Sequence, residues 1–205
     1  VALPDVGVMR KDALIAELSD FRRKIADLEK LVTTDFLTGL LNKDGFEKGV
    51  DRLLSQAVRS EVNRSKEGPP ALRKEMPHYV LLDLGNFKQV NDTFGHDTGD
   101  RVLKIFGMIL REQLRGGDIS ARIYGDKFAM VLNAEPEEVA KVIGRVQQRI
   151  AENEEFNGIL VSDKGEVSIA VRAGVAAYAP GMTHEDLLRK ANEELAIAKM
   201  GRDGA

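Results

Sequence analysis

The chain has 205 residues and no cysteine, which excludes disulfides and thiolate metal sites. It has only three histidines, and His96 has no ligand-spaced partner beside it, so it reads as a structural loop residue rather than a metal ligand. An excess of positive charge is also missing: 30 Lys and Arg face 33 Asp and Glu, a net charge of -3, so there is no global basic field of the kind that marks a nucleic-acid binder. No apolar run approaches the roughly 18 to 20 residues needed to cross a bilayer, and the N-terminus lacks the charged-then-apolar layout of a signal peptide. These absences predict a cytoplasmic chain with no nucleic-acid partner and no direct membrane insertion. The first residue is Val1 rather than methionine, which leaves room for upstream segments. There is no internal repeat and no low-complexity tract.

What is present begins with a stripe. From Leu14, the apolar positions Leu14, Leu18, Phe21, Ile25, Leu28 and Val32 step by alternating fours and threes with charged residues between them. Heptad spacing of this kind needs a partner, either a second copy of the helix or another surface of the same molecule. Thr33 and Thr34 are candidate caps for a following helix over Leu37 to about Val58. Residues 59–77, with Gly68, Pro69, Pro70 and Pro77 among mixed charges, read as a loop. Further helices are expected at about Gly99–Leu114, Pro136–Glu152 and His184–Lys199. They alternate with strands at 79–84, a hairpin over 119–132, a strand over Ser168–Tyr178 and a small hairpin within 157–167. Interleaved helices and strands around a central hairpin imply an antiparallel or mixed sheet with helices on its faces.

Two segments concentrate the chemistry. In Tyr124-Gly125-Asp126-Lys127-Phe128, a Gly-Asp turn between apolar strands presents an aspartate and a lysine at a hairpin tip. Alone, it reads either as part of a phosphate site or as an ordinary surface turn. Upstream, an apolar strand from Tyr79 delivers Asp83, and a polar, glycine-punctuated run extends through Phe94-Gly95-His96-Asp97-Thr98-Gly99-Asp100.

These two segments, preceded by Asp35-Phe36-Leu37-Thr38-Gly39-Leu40-Leu41-Asn42, resemble the GGDEF family of diguanylate cyclases, which condense two GTP into cyclic di-GMP. The three motifs occur in the family's order, and the resemblance covers roughly residues 33–203. It implies an α+β nucleotide-cyclase fold, related to ferredoxin-like arrangements, with a mainly antiparallel sheet flanked by helices. It also implies a division into an N-terminal coiled-coil-like linker helix over 1–32 and a GGDEF domain over 33–205, within which the composition of 59–77 predicts a flexible loop. Helices entering such domains commonly pair, so a homodimer through the N-terminal helix is expected.

The resemblance places the family's metal-binding carboxylates at Asp83 and Asp126, and a backbone-carbonyl ligand at Leu84. Phosphoryl transfer from a nucleoside triphosphate needs Mg2+, which takes hard oxygen donors. Lys127, however, stands where the family has Glu. Two unit charges 4 Å apart interact by roughly 4 kcal/mol at an effective dielectric of 20, so an ammonium facing the cations suppresses metal binding by orders of magnitude. If it swings outward, the oxygen ligand is still missing. Tyr124 replaces a glycine where the nucleotide approaches the backbone, Gly85 replaces an acidic residue, and Asn42-Lys43-Asp44 departs from the family's Asn-Arg-Arg. Lys199 and Arg202 resemble the phosphate-gripping Lys and Arg with a spacing one residue short, and Lys88 is a further phosphate candidate.

Asn91 and Asp100 match the guanine-reading residues, an amide and a carboxylate that pair with the base's acceptor and donor edge. Their other reading is as a turn residue and a helix N-terminal acid. Arg115-Gly116-Gly117-Asp118 matches the RxxD inhibitory site where cyclic di-GMP binds, with Arg145 as a second arginine. The competing reading is a helix-ending Arg with a turn Asp. The expectation is a catalytically impaired GGDEF domain that serves as a cyclic di-GMP receptor or signalling module with a protein partner. Mg2+ would be relevant only if residual GTP binding persists. The alternatives are a weakly active cyclase and a docking module that binds no nucleotide.

Overall fold

In a computed structural model, residues 6–64, 76–162 and 165–200 are described. The elements in chain order are α1 (Val6–Thr33), α2 (Lys43–Arg64), β1 (Met76–Gly85), α3 (Phe87–Phe94), α4 (His96–Gln113), β2 (Ile119–Tyr124), β3 (Lys127–Ala134), α5 (Pro136–Ala151), α6 (Glu154–Gly158), β4 (Val161–Ser162), β5 (Gly165–Glu166), β6 (Ala170–Ala177) and α7 (His184–Met200). Four strands form an antiparallel sheet in the order β2-β3-β1-β6, and β4 and β5 form a separate small hairpin. Among the described residues no helix is long and apolar enough to cross a membrane.

The central strands carry the fold because both of their faces are covered. Val80, Leu82 and Leu84 of β1 join Phe128, Met130 and Leu132 of β3 in one core with residues of α4 and α5. Tyr79 and Leu81, with Ala129 and Val131, belong to a second core with α2 and α7. This is the period-two alternation of a strand with both sides buried, so an almost uninterrupted apolar run is required rather than an apolar–polar alternation. Full burial of each Leu, Val or Phe contributes about 1.5–3 kcal/mol, and two such layers fix the register that presents the strand ends.

The chain departs from the expected elements in four places. The helix expected from Leu37 begins at Lys43. Asp35 Oδ1 accepts from both Thr38 N and Thr38 Oγ1, Gly39 takes a φ of 67°, and Leu41 bridges to Thr34 and Ala121, so residues 34–42 form a locked turn. Thr33 and Thr34 do not cap α2. The Thr33 hydroxyl donates back to Glu29 O within α1, and Asn42 Oδ1 accepts the Gly45 N–H at 2.9 Å as the actual cap. The segment expected as a loop over 59–77 loses residues to its neighbours, because α2 continues to Arg64 and β1 starts at Met76, while 65–75 lie outside the described residues. Finally, α3 and α6 are additional helices.

Helix α1 ends where the locked turn starts, and its apolar stripe is open. Leu14, Leu18, Phe21, Ile25, Leu28 and Val32 are all between 51% and 62% exposed, so this face is not packed on its own domain.

Candidate functional site

The site grows from the sheet register. Asp83, near the end of the central strand, pairs across to Lys127 on β3 and to Arg172 on β6. Side chains directly opposite on one face of an antiparallel pair meet, so this carboxylate is flanked by a cation on either side. A third cation arrives from the last turn of α7. Lys127 Nζ and Lys199 Nζ both donate to Asp83 Oδ1, each at 2.8 Å, and Arg172 Nη1 lies 3.9 Å from Oδ2. The Asp83 side chain is 7% exposed.

Gly85 makes room for this arrangement. A Cβ there would lie 2.7 Å from Arg172 Nη1, so any side chain at Gly85 would push the guanidinium off the strand end. Burial works to raise the Asp83 carboxyl, but the hydrogen bonds and charges of Lys127 and Lys199 outweigh it and hold the group below the usual carboxylate range. Burial likewise works to lower the Lys127 ammonium, and the hydrogen bond and charge of Asp83, aided by Tyr124 and Asp126, leave it raised. Both partners therefore stay ionised.

The other residues expected around this centre sit close by in the chain but are not all gathered. Asp126 is half-buried in the hairpin turn after Gly125, its backbone carbonyl accepts the Leu84 N–H at 3.3 Å, and Leu84 is fully buried. Asn91, inside α3, packs against α4: a Cβ at Gly99 would collide with its amide oxygen, so Gly99 is what lets Asn91 lie beside the turn carrying Asp100. Asp100 and Lys88 are exposed. Arg202 lies outside the described residues. Tyr124, 62% exposed, lines a cleft of about 350 Å³ with Asp35, Asn42, Lys43, Asp44 and Arg122.

A Mg2+ ion does not fit the Asp83 centre. The ion needs several hard oxygen donors, yet two ammonium groups already occupy Asp83 Oδ1 and a lysine holds the position opposite. No group of three or more His, Asp or Glu is arranged for a metal among the described residues.

The second constellation lies at the other end of the hairpin. Arg115 and Arg145 do converge, and Glu138, which sequence reasoning missed, is what joins them. Its Oε1 accepts from Arg115 Nη2 at 2.6 Å and lies 3.4 Å from Arg145 Nη1, while Arg145 Nε donates to Gln113. Partial desolvation, which raises the Glu138 carboxyl, is overcome by the hydrogen bond from Arg145 and the charges of Arg115, Lys141 and Arg145, leaving it below the ordinary range. The Asp118 carboxylate accepts the Arg115 N–H through Oδ2 and the Asn133 N–H through Oδ1, both at 3.0 Å. It therefore closes the turn, and its remaining lone pairs are available to other donors. Helical spacing had put Glu138, Lys141 and Arg145 on one face of α5, a signal available in the sequence. Arg172 had no such signal, because only the register brings it to Asp83.

Fold and strand end together define a nucleotide-cyclase-type α+β domain whose carboxylate centre is filled by the chain's own cations. The profile of the family described as "Diguanylate cyclase, GGDEF domain" matches residues 32–204, and the chain belongs to the GGDEF family. It is 32% identical over 198 residues to diguanylate cyclase DgcP of Pseudomonas aeruginosa, covering 95% of this chain and 26% of DgcP. Among solved structures, the coiled coil and GGDEF domain of DgcB from Caulobacter crescentus in complex with c-di-GMP superposes with a TM-score of 0.74 at 24% identity, covering 95% of this chain and 94% of that one. The DgcB GGDEF domain alone, also with c-di-GMP, gives 0.67 at 26% identity over 83% and 91% of the two chains. Diguanylate cyclase SiaD in complex with its activator SiaC, from P. aeruginosa, gives 0.67 at 27% identity over 96% and 71%. The chain spans less than half the length of the curated relatives it matches.

Proposed function

We propose that residues 33–205 form a GGDEF domain that does not efficiently condense GTP and that works as a cyclic di-GMP-responsive signalling module through Arg115, Asp118 and Arg145. The observation that carries the loss of catalysis is the sharing of Asp83 Oδ1 by Lys127 and Lys199. A carboxylate neutralised by two ammonium groups has little left to offer a divalent cation, and phosphoryl transfer from GTP depends on that cation.

The receptor reading is supported by the convergence of the two arginines. Guanidinium groups engage phosphate bidentately and stack on bases. Glu138 holds both in place in the free protein, and an incoming phosphodiester takes over its partners. Asp118, oriented by two backbone N–H groups, accepts from a guanine N–H with its remaining lone pairs. Related GGDEF domains bind cyclic di-GMP in their solved structures. Residues 1–32 act as the linker: the exposed stripe of α1 matches a homodimeric coiled coil. A protein partner in the pathway is in keeping with the SiaC complex of SiaD.

Calorimetry with cyclic di-GMP tests this. Wild type is expected to bind and Arg115→Ala to lose most of the affinity, and wild-type protein that takes up no ligand refutes the receptor role. The second reading, a weakly active cyclase, is favoured by the retained Asp83, Asp126, Asn91 and Asp100. Incubation of concentrated protein with GTP and Mg2+ or Mn2+ decides it, since sustained product formation abolished by Asp126→Ala establishes that activity.

A further inference from the structure

The misfit between the strand end and a divalent cation points to a positive use for the same residues. We infer that Lys127, Lys199 and Arg172 form a built-in counter-ion for a polyphosphate chain, so that the vestigial centre binds the phosphates of a nucleoside triphosphate, or a free polyphosphate, without metal.

The argument starts from charge. Three cationic side chains from β3, α7 and β6 converge on a single buried carboxylate, with Asp126 as the further acid acting on Lys127. Each ammonium has three N–H donors and uses one on Asp83, so donors remain on both lysines. Lys127 and Lys199 are 23% and 37% exposed, within reach of a ligand from solvent yet partly desolvated, which strengthens ionic contacts. Arg172 Nε is buried without a hydrogen-bond partner among the described residues, a donor left over by the internal arrangement. The first turn of α3 adds to the field: Asn86 precedes it without a side-chain cap bond, its amide being spent on Ser168 O, and Lys88 stands exposed on that turn.

A triphosphate is normally presented with a divalent cation because its own charge must be neutralised. Here fixed ammonium and guanidinium groups provide that neutralisation. The metal-bound form of the ligand is then the worse one, because Mg2+ removes negative charge the site is built to meet and brings a cation against three others. This inverts the metal dependence of an ordinary nucleotide site, and it is independent of the Arg115 constellation.

The test is calorimetry on the full chain with inorganic tripolyphosphate, GTP and ATP, each in EDTA and each with Mg2+. Binding is expected in EDTA and is expected to weaken severalfold with Mg2+. Lys127→Met and Lys199→Met should each weaken it roughly tenfold, the size of one lost charge-assisted contact. Lys127→Arg should retain it, and Arg115→Ala should leave it unchanged, which separates this site from the receptor site. GTP binding more tightly than ATP and tripolyphosphate identifies a guanine nucleotide as the occupant; equal affinities for all three identify the phosphate chain alone, and either supports the inference. Binding that requires Mg2+, binding indifferent to both methionine variants in folded protein, or no binding of any of the three overturns it.

Discussion

Single residues decide the chemistry here, and Asp83 with its three cations is the clearest case. Asp83→Asn leaves Lys127, Lys199 and Arg172 crowded without their counter-charge. Breaking a buried pair costs about 3–5 kcal/mol, and because these lysines are 23% and 37% exposed the expected loss is smaller, about 1–3 kcal/mol by denaturant unfolding. The pH dependence follows from the directions of the two shifts. The Asp83 carboxyl is lowered, so its contribution is complete above its unfolded value of about 3.9 and is lost as pH falls through the folded value. The Lys127 ammonium is raised, so its contribution is complete below about 10.4 and is lost as pH rises through its folded value. The stability gap between wild type and Asp83→Asn should therefore be flat through neutral pH and close in acid, and a gap that widens below pH 4 would contradict this account. Lys127→Glu is expected not to restore full turnover in a GTP assay, because Lys199, Arg172 and Tyr124 all remain.

At the scale of elements, strands and caps separate what was readable from what was not. The hairpin and the central strand were legible because two covered faces demand apolar runs with a turn between them. The helices α4, α5 and α7 were legible from their periodicity. The turn over 34–42 was not, because its apolar residues Leu37, Leu40 and Leu41 mimic a helical spacing. Only the Asp35–Thr38 bonds and the bridge from Leu41 to Ala121 show that the backbone is held otherwise. Helix α3 did leave a trace: Phe87, Val90 and Phe94 face the same core from a segment whose polar, glycine-rich flanks read as loop. The pairing of Arg115 with Arg145 was anticipated, while Glu138 between them was not, although its spacing to Lys141 and Arg145 on one face of α5 was there to be read. The cap offers a direct check. Asn42→Ala removes the acceptor of the Gly45 N–H and should cost about 1 kcal/mol of stability, whereas Thr34→Ala should not cost a helix cap.

At the scale of the whole molecule, the exposed stripe of α1 lies apart from Arg115, before β2, and Arg145 on α5, and the proposed signalling role requires the two to be connected. The locked turn over 34–42 joins α1 to the sheet: Asn42 Nδ2 donates to Val32 O, Arg122 Nη1 lies 3.5 Å from Asp35 Oδ2, and Leu41 bridges to β2. The strand β2 in turn begins one residue after Asp118. On the proposed receptor reading, a connection of this kind would let dimer geometry at α1 bias the RxxD turn, and linkage would make the effect reciprocal: the factor by which dimerisation changes cyclic di-GMP affinity would equal the factor by which the ligand changes dimerisation. Ile25→Glu, placed in the middle of the stripe, should shift sedimentation toward monomer. If the two sites are coupled with the strength usual for allosteric pairs, about 5-fold or more, the same variant should change cyclic di-GMP affinity by the ratio at which ligand changes the dimer constant of the wild type. Matching ratios would locate the signal path in the 34–42 turn, where Asp35→Ala should uncouple them while leaving both dimerisation and binding measurable. Ligand affinity that is identical in monomer and dimer would mean that α1 does not report on the nucleotide site.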